Sequence, residues 1–337
     1  LLVLYIPKPK TKVQFVTSTF AVSLPFSILA GARFGVGKDF FAYLDIYENI
    51  RVLSFHELIE QKAPLFAVIN WIIGIFDAPN SFLLFFILSL LFVWTTILVL
   101  YSFLEKKEIL LGVFIIFSLV YIESYNLVRQ FVSIGLVTIA YRTLFLKDKA
   151  KYVLLIIIAS LIHLTSIVMI IGMFLDFRKK YKKLLDLVFY TFLIISPILI
   201  PLLISAVKII PIFSGYFRFY QFNFEGFGLG FLIEILPVIF VVLFFNKVLT
   251  TYDSRYDILF KILLLTIPFR FLSYYFEWGS RMMLYTIVLQ AIIVPKGITI
   301  SRHKYLKLIL FIIIYVSIFI YQYIVRNMGP AYPYNFI

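Results

Sequence analysis

The chain has 337 residues, 63% hydrophobic and only 14% charged, with a mean hydropathy of +1.02. One soluble core cannot bury that much apolar surface, so the composition describes a polytopic membrane protein. A formal charge of +14 would point to nucleic acid in a soluble protein, but here the basic residues gather in short loops between apolar runs, where they act as orientation signals and argue against a nucleic-acid partner.

The sequence begins on Leu1, and the apolar stretch 1–6 is too short to span, which suggests an earlier helix in a longer reading frame. No cleavable signal peptide is evident. Lys8, Lys10 and Lys12 precede the first full span, 13–30, and orient it from cytoplasm to outside. The stretch GARFGVGKDFFAYLDIY, 31–47, then emerges outside. Gly35 and Gly37 let it turn tightly beside a ligand or another helix. Asp39 is placed to cap an amphipathic helix on which Asp39, Tyr43 and Tyr47 share one face at i, i+4, i+8. The run 63–76 has about fourteen residues, short of the ~20 a crossing needs. The segments 81–104, 109–123 and 131–146 follow, the last closed by KDKAK at 147–151.

Segment 152–177 has basic residues at both ends. If it crosses once and 63–76 also spans, Lys106, Lys107, Lys147, Lys149 and Lys151 fall outside, against the positive-inside bias. Treating 63–76 as interfacial or re-entrant and 152–177 as a hairpin puts all five inside. Such a hairpin must be surrounded by protein or line a cavity, with His163, Thr165 and Ser166 at its tip. RKKYKK at 178–183 reads as a cytoplasmic anchor on anionic membrane lipid. Beyond it, 184–210 goes out with Pro197 and Pro201, 214–230 lies outside, 231–249 returns, 258–278 goes out as one span, 282–295 returns and 305–325 goes out. The expected fold is therefore all-α, one domain over 1–337, with about 9 to 11 transmembrane or re-entrant helices.

This topology places Arg33, Arg129, Arg218 and Arg281 on the outer side, in loops 31–62, 123–131, 211–230 and 277–285. A lone arginine there is explained by lipid head groups. Four on the less positive side suggest an anionic ligand, because a guanidinium matches phosphate bidentately. Arg270, Tyr274, Glu277 and Arg281 fall at i, i+4, i+7, i+11, which reads as one polar stripe on an apolar helix. Tyr285 continues it on the next helix. A Glu277–Arg281 pair within the helix is the plainer reading of its last two members. Asn126, Gln130 and Ser133 make a shorter stripe beside Arg129. For general-base work Asp39 and Glu225 are the leading carboxylates. His163, flanked by Ser160 and Ser166, reads first as a hydrogen-bonded structural histidine and only then as a proton acceptor. There is no cysteine, and His56, His163 and His303 lack metal-site spacing, so neither a cofactor nor a bound metal is expected.

The ordered motifs resemble those of EpsG-type proteins, the Wzy-like bacterial polysaccharide polymerases of exopolysaccharide and O-antigen type. GARFGVGKDFFAY looks like their R-x-x-V-G-x-D-x-x-x-Y signature, NLVRQFVSIGLVTIAY like an N-x-x-R-Q segment, and ASLIHLTSIVMI like an A-x-x-x-H-x-S/T motif. GSRMMLY resembles the late E/S-R-x-x-x-Y element, and the terminal PYNF also fits. The resemblance assigns substrate contact to Arg33, Asp39, Tyr43, Arg129, Gln130, His163, Arg281 and Tyr285. Ser280 stands where an acidic residue often precedes the late arginine, a departure for which Glu277, one turn earlier, is the candidate compensation. The implied activity is a glycosyltransferase at the outer face of the cytoplasmic membrane, joining oligosaccharide repeats carried on undecaprenyl pyrophosphate, with a chain-length regulator as a further partner. A lipid-linked oligosaccharide flippase is the main rival and should carry more spans and a cavity open to both sides. Another membrane glycosyl or acyl transferase is the second.

Overall fold

A computed structural model of the chain describes residues 11–76, 81–176, 181–208, 229–327 and 334–336. Helix α1 (Lys12–Gly31) is capped by Thr11, whose hydroxyl accepts from the Gln14 backbone N–H at 3.1 Å. There follow α2 (Phe40–Ile50), α3 (Phe55–Ile59), α4 (Pro64–Ile75), α5 (Ser81–Phe103) and α6 (Lys106–Ile116). Helix α6 runs through a π-helical turn (Phe117–Tyr121) and a 3₁₀ turn (Glu123–Tyr125) into α7 (Val128–Phe145). Then come α8 (Lys149–Ile162), a 3₁₀ segment (Leu164–Phe174), α9 (Lys182–Lys208), α10 (Leu229–Tyr252), α11 (Tyr256–Leu264), α12 (Thr266–Leu272), α13 (Glu277–Ile287), α14 (Gln290–Ile300) and α15 (Lys304–Phe319), which ends in a second π-helical turn (Ile320–Val325). Among the described residues no strand forms beyond one isolated bridge between Arg33 and Phe336.

Helix α7 is the centre of the bundle. Fourteen of its eighteen residues are buried, so it is apolar all round, the pattern of a helix enclosed by others. Its polar groups find partners on its neighbours. Ser133 donates to the Ala159 carbonyl of α8 at 3.0 Å, and Tyr141 donates to the Tyr285 carbonyl of α13 at 2.7 Å. The peripheral helices α1, α9 and α15 instead present Val13, Ile194, Ile198 and Ile309 outward, a surface suited to lipid. Helices α6 and α14 approach closely at Gly112, where an added Cβ would lie 2.8 Å from the Ala291 carbonyl oxygen.

Six described helices are long and apolar enough to cross a membrane: Lys12–Gly31, Ser81–Phe103, Lys182–Ser205, Gly230–Tyr252, Trp278–Ile300 and Lys304–Val325. These six do not by themselves establish the nine to eleven spanning or re-entrant helices expected, because several apolar runs are divided into shorter pieces. The run 109–123 passes from α into π and 3₁₀ geometry. The expected single span 258–278 is instead α11 and α12 with a turn at 273–276, where Phe276 is extended at φ −143°, ψ 132°. The long run is the next one, 278–300. Helix α4 has twelve residues and starts on a proline, too short to cross alone.

The chain doubles back at His163. Tyr152 donates to the Met169 carbonyl, Lys149 Nζ donates to the Met173 carbonyl at 3.1 Å, and Lys149 pairs with Asp176 at 3.2 Å. The 3₁₀ segment therefore returns alongside α8, the hairpin expected over 152–177. At the same end of the bundle Lys182 turns inward to Asp257 (2.6 Å) and Asp186 (2.9 Å), where buried Lys261 also pairs with Asp186 (2.6 Å) and Asp257 (2.9 Å). One lysine of the RKKYKK anchor is thus spent on tying α9 to α11.

Candidate functional site

At the opposite end, α1 stops at Gly31 and the chain enters the loop that carries Arg33. Its side chain is only 1% exposed. Nη1 donates to the Tyr125 carbonyl at 2.8 Å and to the Val36 carbonyl at 3.3 Å. The guanidinium lies 4.2 Å from the centre of the Phe85 ring and 4.5 Å from that of Tyr125, desolvated contacts of about 2 kcal/mol or more each. Burial lowers its pKa to about 10, which leaves a cation at neutral pH. Arg33, expected to touch substrate, here fastens its loop to the 3₁₀ turn. The Lys38 backbone N–H adds a bond to Asn126 Oδ1 at 2.7 Å. The C-terminal tail closes the other side: the Phe34 N–H donates to the Asn335 carbonyl at 2.8 Å and Tyr334 donates to the Leu29 carbonyl.

Gly37 makes this close approach possible. Its φ is +99°, and a Cβ there would sit 3.0 Å from the Tyr125 carbonyl oxygen and 3.1 Å from Asn126 Oδ1. Gly37→Ala is therefore expected to cost about 1–3 kcal/mol of stability through backbone strain, read as a lower thermal midpoint in detergent, while Ala at the exposed Phe41 changes it little.

Asp39 stands at the N-cap of α2 but makes no side-chain cap bond; its carboxylate is exposed rather than committed to the helix. Tyr43, one turn on, is half-buried against Phe66, with ring centres 6.2 Å apart, and Tyr47 is fully buried. The face shared by the three residues thus runs from solvent into the bundle. Burial pushes the Tyr43 phenol up, while Arg129 and Arg281 both act to lower it and Asp39 to raise it. Asp39, Arg129 and Arg281 are thus all within electrostatic reach of the Tyr43 hydroxyl.

Four segments meet there. Tyr43 Oη accepts from the Arg129 backbone N–H at 3.3 Å. Gln130 Nε2 donates to the Arg281 carbonyl at 2.6 Å, which locks the start of α7 to α13. Thr165 Oγ1 and Tyr285 Oη share a hydrogen bond of 3.2 Å, joining the hairpin tip to α13. His163, at φ −148°, ψ 111°, is the turn residue itself, and the charges of Arg129 and Arg281 both reach it. The expected bonds to its flanking serines do not form: Ser160 donates to the Ile157 carbonyl, Ser166 Oγ finds no partner, and the buried His163 Nε2 finds none either. Arg129 Nε is also buried without a partner, and no carboxylate pairs with this guanidinium among the described residues. Arg129 as a whole is partly buried, and a guanidinium in such a place without a counter-ion is costly unless it has a ligand.

The proposed stripe from Arg270 to Arg281 is not one face, since the 273–276 turn separates α12 from α13. Arg270 turns the other way. It pairs with Glu234 of α10 and lies 4.9 Å from the Tyr274 ring centre, so both residues are taken up in a contact between helices. Glu234, some 36 residues away along the chain by numbering, is the partner that no local spacing reveals. Asn126 precedes α7 and bonds Lys38, so only Gln130 and Ser133 of the second stripe are helical. Arg218, Glu225 and the Glu277 side chain lie outside the described residues. The described residues contain no cluster of three or more metal-ligating side chains.

These features define a multi-pass, all-helical membrane protein whose arginine, histidine and tyrosine groups converge at one end of the bundle. The chain belongs to the EpsG family, which it matches over residues 16–336, from α1 to the docked tail; this is a family of Wzy-like polysaccharide polymerases. No curated protein and no solved structure matches it.

Proposed function

We propose that the chain is a glycosyltransferase that polymerises oligosaccharide repeats carried on undecaprenyl pyrophosphate, with its site at the outer face of the cytoplasmic membrane. The observation that carries this reading is the convergence of Arg129 and Arg281 on His163 and Tyr43, with Arg129 lacking an acidic partner among the described residues. Two guanidiniums offer bidentate donors to a pyrophosphate.

In this mechanism a sugar hydroxyl of the incoming repeat attacks the anomeric carbon of the growing chain. The new carbon–oxygen bond forms as the bond to the pyrophosphate oxygen breaks, and the electron pair leaves with the pyrophosphate. Arg129 and Arg281 stabilise that charge. The hydroxyl proton passes to a carboxylate or imidazole, with Asp39 the first candidate, Glu225 the second and His163 the third. Gln130 and Tyr285 hold Arg281 and the hairpin tip in register, and Arg33 positions the loop that presents Asp39. Arg218 is a further candidate contact to the pyrophosphate.

A strain lacking this chain is expected to accumulate single lipid-linked repeats on the outer leaflet, measured by mass spectrometry of extracted lipids after treatment with an impermeant glycosidase. Repeats held on the cytoplasmic leaflet would instead identify a flippase.

A further inference from the structure

A cavity of about 110 Å³ lies against the face of α13 that carries Ser280, Met283, Leu284 and Ile287. Its volume is several times the ~10–15 Å³ that one ordered water requires. Helix α13 contributes Ser280 and Met283 to it, α10 contributes Glu234, the 3₁₀ turn contributes Glu123, and the end of α15 contributes Gln322 and Tyr323. Two of its walls are built from the π-helical turns Phe117–Tyr121 and Ile320–Val325. They face each other, with Phe117 stacked on Phe319 at 5.6 Å and Tyr323 Oη donating to the Leu119 carbonyl at 3.0 Å. A π turn displaces backbone and side chains from α-helical register and recurs at functional sites; here both turns feed the same space.

The polar groups in this cavity are mainly acceptors. Gln322 Oε1 is buried and has no hydrogen-bond partner. Glu123 is within electrostatic reach of Lys38 and Asp39, which puts the Glu123 end of the cavity beside the loop that presents Asp39. Glu234 is paired with Arg270 and lies 4.0 Å from Arg326. Leu127, Met283 and Ile318 supply apolar walls. Few, convergent polar groups in an apolar cleft are the usual form of a small-ligand site. Acceptors of this kind suit a ligand rich in hydroxyl donors; Glu234 is neutralised by Arg270, whereas Glu123 makes no ion pair among the described residues and repels an anion.

We infer that this cavity binds the terminal sugar of the incoming repeat, an uncharged or amino-bearing pyranose, and refuses a uronic acid. The inference rests on the polymerase reading and adds to it where the acceptor sits and which charge it carries.

The test is saturation-transfer NMR on the full chain in detergent micelles, with methyl glucoside, methyl glucosaminide and methyl glucuronide as probes, alongside a separate measurement of undecaprenyl pyrophosphate binding. The glucoside and glucosaminide are expected to bind and the glucuronide not. Gln322→Met and Met283→Phe, the latter filling the cavity from its apolar wall, should each weaken glycoside binding at least 10-fold without changing pyrophosphate binding. Glu123→Gln should admit the glucuronide. Equal binding of all three probes, or glycoside binding unchanged in both Gln322→Met and Met283→Phe, would overturn the inference and leave the pyrophosphate site untouched. Arg129→Lys should show the reverse pattern, with glycoside binding kept and pyrophosphate binding lost; a wild-type pyrophosphate affinity there counts against the polymerase site rather than this cavity.

Discussion

Arg129→Lys and Arg281→Lys are each expected to lower polymer formation by about 100-fold or more, although both keep the positive charge, since the loss of one preorganised donor to a developing anion typically has that effect. A lysine supplies a single point charge in place of a planar fork and cannot hold two oxygens of a pyrophosphate in fixed geometry. The two variants should differ in what else they disturb. Gln130 bonds the Arg281 backbone carbonyl rather than its side chain, so Arg281→Lys leaves the α7–α13 tie in place. Arg129 bonds Tyr43 likewise through its backbone N–H. Folding is therefore expected to survive both changes, with the thermal midpoint in detergent near that of the parent. Polymer yields near the parent level from both would mean that these arginines serve lipid head groups.

Asp39→Asn is expected to retain folding and lipid-linked substrate binding while turnover falls by about 10²–10⁴-fold, the range for removal of a general base. The expectation follows from placement. The carboxylate is exposed and makes no cap bond, so replacing it should not unsettle α2, and its charge is felt at Tyr43 together with those of Arg129 and Arg281. Single-turnover rates with preformed substrate complex separate chemistry from binding. Full activity in Asp39→Asn would move the proton acceptor to Glu225 or His163.

Much of the architecture was legible from charge and hydropathy. The basic flanks of 152–177 implied a return to the same side, and the Lys149–Asp176 pair closes that hairpin. Gly35 and Gly37, at φ +65° and +99°, make the tight turn their residue type suggested, packed against the 121–126 segment. The break between α12 and α13 was not legible, because an apolar run looks the same whether it continues as helix or turns at 273–276. The stripe from Arg270 to Arg281 depended on an unbroken 3.6-residue period and was lost with it. Arg33 and Arg129 carry the same side chain near the same end of the bundle, yet Arg33 is sealed among Phe85 and Tyr125 with Nη1 on backbone carbonyls, while Arg129 is only partly buried and its guanidinium makes no ion pair among the described residues. That difference is set by tertiary packing. Glu234 escaped notice for the same reason: its meaning comes from Arg270 on another helix.

The most direct measurement is made on the purified chain, reconstituted in liposomes with one defined undecaprenyl-pyrophosphate-linked repeat and no other protein. Products of two and more repeats should appear, with one undecaprenyl pyrophosphate released per linkage formed, and excess EDTA should leave the rate unchanged. Unaltered single repeats, moved across the bilayer or not, would contradict the polymerase reading; lengthening that stops in EDTA and resumes with Mg²⁺ would contradict the arginine-based stabilisation of the leaving group.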